Sequence, residues 1–393
     1  MKVVVVAEYY PRAADPTLGI WAHHQTKAAR DAGADVRVIV LHRPVPPLAT
    51  VRGLSSESVR SALAATRAAA SQPSTVTLDG ISVRYLRYLS PPRGRTYANW
   101  GAWAAPPLLR ALRRMRVEFP FDLIHAHYAV PAGDAVRRAA PDVPLVISVH
   151  GGDVLGAHAG APTVTATLAH ARLVLANSAG TARRSRHRGA RDVQVVHLGA
   201  YPPAAPAPPP PTSTLVTVAN LIERKRVADV IRAVALLAGE WPQLRHVVVG
   251  DGPERTALGA LATSLGVADR VAFLGRLAPD DAVATARRAS LFVLPSTDEA
   301  FGVAYVEAMA AGVPAIGCRG EDGPEEIAAA GGGIELVAPL DPRGLAATVD
   351  ALLSDSGRLD RLRASARETV LSAFTWERCG RQTVDAYEQV LRG

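Results

Sequence analysis

Two glutamates eight positions apart, Glu299 and Glu307, are the residues of this chain best spaced to hold a polyhydroxylated anion. The apolar run Leu291-Phe292-Val293-Leu294 before them reads as a buried strand. Gly302 opens a run of good helix formers, and Gly312-Val313-Pro314 stops it. Glu299 then lies in a loop at the carboxyl end of a strand, where open α/β sheets bind their ligands. Glu307 lies more than a turn inside the helix, able to turn back toward the same place. The N–H groups of Phe301, Gly302 and Val303 open that helix, where unpaired donors and the dipole favour an anion. Gly302 also lets a ligand approach the main chain closely. A loop acid for sugar hydroxyls, a helix end for phosphate and a helix acid for a ribose diol together suit a nucleotide-sugar. Taken singly, Glu299 reads more readily as a helix cap and Glu307 as part of a solvated face; the flanking residues reverse that reading.

Pro-Ser at 295–296, Glu-Ala-Phe-Gly at 299–302, Glu-Ala-Met-Ala at 307–310 and Gly-x-Pro at 312–314 closely resemble the signature of the retaining glycosyltransferases of family 4. The resemblance implies an α/β fold of two Rossmann-like domains facing each other across a cleft, the GT-B architecture. A C-terminal helix would cross back to the first domain. It implies a donor site that includes Glu299, Phe301, Gly302, Val303 and Glu307, and an activity in which a sugar leaves a UDP- or GDP-sugar for a hydroxyl acceptor. That acceptor is a glycan, a lipid-linked sugar or a small molecule, as in the building of cell-envelope polysaccharide.

The bulk numbers leave room for this. A chain of 393 residues with 48% hydrophobic content can build two full cores. Lysine occurs only at Lys2, Lys27 and Lys225, and the other basic residues are all arginine. The net charge of +8 favours anionic partners such as nucleotide phosphates or an anionic membrane face. No zinc spacing, helix-turn-helix signature or aromatic RNA-binding motif is present, so nucleic acid is not an expected partner. Two cysteines, Cys318 and Cys379, make no disulfide framework, which fits a reducing compartment. The run Val3 to Ala7 is too short for a signal-peptide core, and no apolar window is long enough to span a bilayer. A cytoplasmic location is expected.

Along the chain, residues 2–7 read as a first buried strand, followed by a loop to Gly19 and a helix from Ile20. That loop lacks Gly-x-Gly-x-x-Gly, which argues against a dinucleotide oxidoreductase. The family places such a glycine near the donor, a role that the partial match Gly19-Ile20-Trp21 gives to Gly19. Residues 53–75 read as a surface helix or loop insertion. From Arg84 to Arg116 there are eight arginines, no acidic residue, and Trp100, Trp103, Tyr85, Tyr88 and Tyr97. This stretch reads as a domain helix with a basic outer side or, more sharply, as a peripheral contact with anionic membrane or a lipid-linked acceptor at the inner face of the cell membrane.

Two apolar strands end in histidine, at Leu123-Ile124-His125-Ala126-His127 and at Leu145-Val146-Ile147-Ser148-Val149-His150-Gly151-Gly152-Asp153. These resemble two further stretches of the family, which imply that His150 contacts the donor sugar near the reacting carbon. His127 comes second as a contact to donor sugar or acceptor, and Asp153 orients His150 or accepts a hydrogen bond from substrate. The proline-rich stretch 201–213 reads as a semi-rigid linker between a first domain, 1–200, and a second, 214–375, with 376–393 as the returning helix. The Asn-Gly-Val/Ile-Asp usual before such a linker is replaced here by His197-Leu198-Gly199-Ala200.

In the second domain the resemblance implies an arginine and, five residues later, a lysine that neutralise the donor diphosphate. Lys225 matches the lysine, but Asn220 stands at the arginine position, so Arg224 or Arg226 compensates or the asparagine donates a neutral hydrogen bond. Gly250 and Gly252 form a tight turn after the strand His246–Val249, and Leu274 ends a strand whose main chain reads the base in the family. Trp376 is expected to pack. The leaving diphosphate would be stabilised by preorganised charge from Lys225, an arginine and the helix end at Gly302. No Asp-x-Asp suited to a divalent ion is present, so neither metal nor cofactor is expected. The acceptor would attack from the donor's own face, and closure of the two domains would exclude water. A nucleotide-sugar 2-epimerase of the same fold and a non-catalytic nucleotide-sugar binder are the alternatives.

Overall fold

Val3, Val4, Val5 and Val6 are all fully buried, as expected of a parallel strand covered on both faces by helices. In the computed structural model, which describes residues 1–44, 60, 64, 66–67, 71–208 and 213–393, this strand is the middle of a larger sheet. Most of the insertion expected at 53–75 lies outside the described residues, as does the end of the proline run.

The first sheet has eight strands: β1 (Lys2–Ala7), β2 (Asp35–His42), β3 (Thr75–Leu78), β4 (Ile81–Arg87), β5 (Leu123–His127), β6 (Leu145–Val149), β7 (Leu173–Ala176) and β8 (Val193–Val195). Their order is β3-β4-β2-β1-β5-β6-β7-β8. All pairs are parallel except β3 with β4. That hairpin turns on Asp79-Gly80, both at positive φ (47° and 78°), the geometry of a two-residue hairpin loop. Successive strands run one way from β1 and the other way from β5, so the sheet switches direction between them. A crevice at the carboxyl ends of two such strands is where this kind of sheet holds ligands.

The second sheet has six strands: β9 (Thr214–Val218), β10 (Arg245–Val249), β11 (Val271–Gly275), β12 (Leu291–Val293), β13 (Ala315–Cys318) and β14 (Ile334–Val337). They are all parallel, in the order β11-β10-β9-β12-β13-β14. Here the switch falls between β9 and β12. The loops after these two strands carry Lys225 and Glu299, which explains why residues so far apart in sequence can meet.

The chain divides into one unit of residues 1–197 and 379–393 and a second of residues 198–378. The division falls a little before the expected linker. Its cause is a backbone exchange: Ala200 N–H donates to Phe374 O (2.9 Å), and Trp376 N–H donates to Ala200 O (3.2 Å). The linker's Ala207 likewise donates to Ala311 O (2.9 Å), so the proline-rich stretch is tied down where it begins. Trp376 is 1% exposed, a packing residue as expected. The helix Trp376–Arg392 returns to the first unit, and Gly380 permits it: a Cβ there would meet Ala28 O at 2.2 Å. Tyr387 Oη then bonds His125 Nδ1 (2.6 Å), and Thr383 Oγ1 accepts from Gln25 Nε2 (3.2 Å).

Candidate active site

In the second unit the Glu299 carboxylate is the centre of a cation cluster. Lys225 Nζ and Ser296 Oγ both donate to Glu299 Oε2, the latter at 2.8 Å, and Arg224 lies 3.9 Å away. Glu299 is 7% exposed. Burial pushes its pKa up, but the charge and hydrogen bond of Lys225, with Arg224 and Ser296, outweigh burial and hold the carboxyl below its ordinary value. The loops are joined through the main chain as well, Thr297 N–H donating to Arg224 O (2.8 Å). Arg226, one of the two candidates to replace the missing arginine, is bound to Asp229 (2.8 and 3.2 Å). That leaves Arg224 as the second cation beside Lys225. Asn220 is exposed at the mouth of the same loop.

The helix Val303–Ala310 starts at Gly302, whose φ of 86° places it in the left-handed region, and no side chain caps it. A Cβ on Gly302 would strike the Tyr305 ring at 2.4 Å. Gly302→Ala is therefore expected to cost on the order of 1–3 kcal/mol of stability. The check is a lower urea midpoint at unchanged slope. Glu307 on this helix is only partly exposed and has no hydrogen-bond or ion-pair partner among the described residues. Burial alone pushes its carboxyl up to about 7. An unpartnered carboxylate little more than one turn from an uncapped helix end can accept hydrogen bonds from a ligand's hydroxyls.

An acid and a serine that hold Glu299 are not marked by the sequence as its partners. Ser296 is fully buried, and its spacing three before Glu299 was a local clue. Glu321 takes the Glu299 main-chain N–H (2.7 Å) from 22 positions away, and no pattern in the sequence marks it. Gly323 completes the fit, since a Cβ there would meet Phe301 O at 2.1 Å. Gly250 and Gly252 are required by neighbouring backbone, since a Cβ added at each would lie 1.8 Å from Ala219 O and 2.4 Å from Leu221 O, respectively. Leu274 is skipped where the β10–β11 register shifts, Val248 pairing with Phe273 and Val249 with Gly275, which frees its main chain from the ladder.

In the first unit, His127 Nδ1 and His150 Nε2 are 2.9 Å apart with rings nearly parallel at 9°. Burial lowers the pKa of both, that of His150 to about 3, so a neutral pair shares one proton across the contact. His127 is 0% exposed, and its ring contacts that of His150. Asp153 accepts from the main-chain N–H of Ala129 (2.7 Å) and of His150 (3.2 Å). It thus fixes the His150 backbone and not its ring, and burial raises its pKa to about 7 against those bonds. Gly19 has φ 64°, and a Cβ there would lie 2.2 Å from the Tyr9 carbonyl carbon. Its glycine is demanded by the loop's own packing. Among the described residues no cluster of His, Cys, Asp or Glu is arranged to hold a metal ion, and no helix is long and apolar enough to cross a membrane.

Comparison with known proteins gives the family and the fold. Residues 18–201 match the family description "Glycosyltransferase Family 4" and residues 204–369 match "Glycosyl transferases group 1". The glycogen synthase of Mycobacterium tuberculosis is 27% identical over 100% of this chain and 96% of its own length. The N-acetyl-alpha-D-glucosaminyl L-malate synthase of Bacillus anthracis is 35% identical over 45% of this chain and 46% of its own. The fold is that of sucrose-phosphate synthase from Thermosynechococcus elongatus, with a TM-score of 0.77 at 19% identity over 100% of both chains. It is also that of Anabaena HepE in complex with UDP and glucose, with a TM-score of 0.69 at 20% identity over 99% of this chain and 100% of that one. Two Rossmann-like units with these relatives define a glycosyltransferase of the GT-B class. Within that class the chain belongs to glycosyltransferase family 4.

Proposed function

We propose that the enzyme moves a hexosyl group from UDP-sugar to a hydroxyl acceptor with retention of anomeric configuration and without a metal ion. The observation that carries this is the Lys225–Glu299 cluster, with Arg224 beside it, at a helix opening that no side chain caps. As the glycosidic bond breaks, charge grows on the diphosphate, and two cations with aligned amides stabilise it in place of a divalent ion. Glu307 takes the ribose hydroxyls and Glu299 the sugar hydroxyls. The departing phosphate accepts the acceptor's proton, so no enzyme nucleophile is called for. Uridine is favoured because HepE is described with UDP and with UDP-glucose. The test is incubation with labelled UDP- and GDP-sugars and a panel of acceptors, with product configuration read by NMR. Acceptor-dependent release of UDP and a retained anomer support the reading; an isomerised sugar or no turnover of any donor contradicts it.

The enzyme is proposed to work in the cytoplasm, against the membrane. The helix Trp100–Glu118 exposes Arg110, Arg113, Arg114 and Arg116 together with Trp103, which is 53% exposed, and Val117, which is 85% exposed. Each basic residue near an anionic surface is worth about 1 kcal/mol. Changing Arg110, Arg113 and Arg114 to Glu is therefore expected to abolish sedimentation with phosphatidylserine vesicles, and unchanged sedimentation removes the membrane from the account.

A further inference from the structure

The first sheet's switch point has a built cavity of its own. At the ends of β1 and β5 the Tyr9 and Tyr128 rings pack at 5.1 Å, and Tyr128 lies 5.2 Å from the His150 ring. A cavity of about 260 Å³ opens there, lined by Tyr9, Arg93, Tyr97, Tyr128, Gly152 and His158 among others. Small-ligand pockets run to about 300–1,000 Å³, so this one takes a single ring and not an oligosaccharide. Its walls are aromatic, and aromatic faces suit the apolar faces of a sugar ring while phenol hydroxyls bond its edges.

The charges around it are unequal. The Arg93 guanidinium lies 4.0 Å from the Tyr97 ring centroid and donates to Tyr9 Oη, and no carboxylate pairs with it among the described residues. The two acids nearby make no ion pair with Arg93, although the Glu8 charge acts on it through space. Glu8 is buried behind Tyr97 and accepts its hydroxyl at 2.6 Å. Asp153 is turned to the main-chain amides of Ala129 and His150. Arg93 is exposed and sits over the Tyr97 ring, and so presents a planar, permanently charged fork to whatever fills the cavity.

We propose that this cavity is the acceptor subsite and that the acceptor is a sugar-like ring bearing an anionic group, carboxylate or phosphate, which pairs with Arg93. The ring lies against the tyrosine faces. Calling the ligand an acceptor rests on the transferase reading above; the anion preference does not.

The test is calorimetric titration of the full chain with glucuronate, glucose 6-phosphate and glucose. At least one charged sugar is expected to bind at least tenfold more tightly than glucose, and which one does so tells carboxylate from phosphate. Arg93→Gln is expected to erase that preference and Arg93→Lys to keep part of it. Arg186→Gln, an exposed arginine on the helix Ala179–His187, is expected to leave it unchanged. Equal affinities for all three sugars, a preference that survives Arg93→Gln, or one lost equally in Arg186→Gln overturns the proposal. UDP titrated into the same samples separates the two readings. UDP binding without an anion preference sinks this inference alone, whereas an Arg93-dependent preference without UDP binding supports the pocket and sinks the donor site.

Discussion

Lys225→Ala is expected to lower kcat/KM for the donor by about 10²–10³-fold, the usual loss when one preorganised charge is removed from a leaving group. It is also expected to destabilise the fold by about 3–5 kcal/mol, because Glu299 is left as a buried charge without its main partner. The two effects have different causes and can be separated. In the wild type the Glu299 pKa is depressed, so its contribution to stability is present above the unfolded value of 4.5 and is lost as pH falls through the folded value. In Lys225→Ala the burial effect dominates, the folded pKa rises above the unfolded one, and stability instead declines as pH rises above that range. Adding Glu299→Gln removes the stranded charge, so the double variant recovers stability at pH 7 but not turnover. Urea unfolding and donor kinetics on the three variants decide it. Turnover that returns with stability would mean that Lys225 acts only as a structural counter-ion.

Glu307→Gln is expected to make the protein more stable at pH 8 and to weaken donor binding. The folded pKa of Glu307, about 7, lies above the unfolded 4.5 because the carboxyl is buried without a partner. The folded state therefore holds more protons than the unfolded state between those values, and stability falls as pH rises through the interval. By pH 8 the penalty is on the order of 3 kcal/mol, at 1.36 kcal/mol per pKa unit. The amide variant escapes it, and the gap between the two proteins closes by pH 4. Ribose hydroxyls donate to the ionised form and pull the pKa down, so UDP binding at pH 6.5 is expected to release a proton. Calorimetry in buffers of different ionisation enthalpy measures that release. Wild-type binding with no proton released, or the same release in Glu307→Gln, would remove Glu307 from the ribose site.

These residues were legible in the sequence because the string from Pro295 to Pro314 is local: a strand, a loop and a helix whose register fixes where both glutamates go. The doubly wound sheets were legible for the same reason, from short buried runs such as Val3 to Val6. What remained hidden depends on contacts between distant segments. Arg224 and Arg226 were equivalent on paper until Asp229 claimed one of them. Glu321 reaches Glu299 by topology alone, β12 and β13 being neighbours in the second sheet. His127 looked available because strand ends often are, yet the pairing with His150 buries it completely. The cavity around Arg93 draws its wall from the loop after β1, the turn Arg93–Thr96, and the segments after β5 and β6. The first unit's boundary moved because Leu198–Ala200 joins the second unit through Phe374 and Trp376, a pairing across more than 170 residues that composition cannot signal.

The most direct measurement is a crystal structure of the protein soaked with UDP. The diphosphate is expected within hydrogen-bond distance of Lys225 Nζ, the Arg224 guanidinium and the amides at Gly302 and Val303, with the ribose hydroxyls on the Glu307 carboxylate. UDP bound elsewhere on the second unit, or bound there with Lys225 still closed on Glu299 and Glu307 untouched, would contradict it.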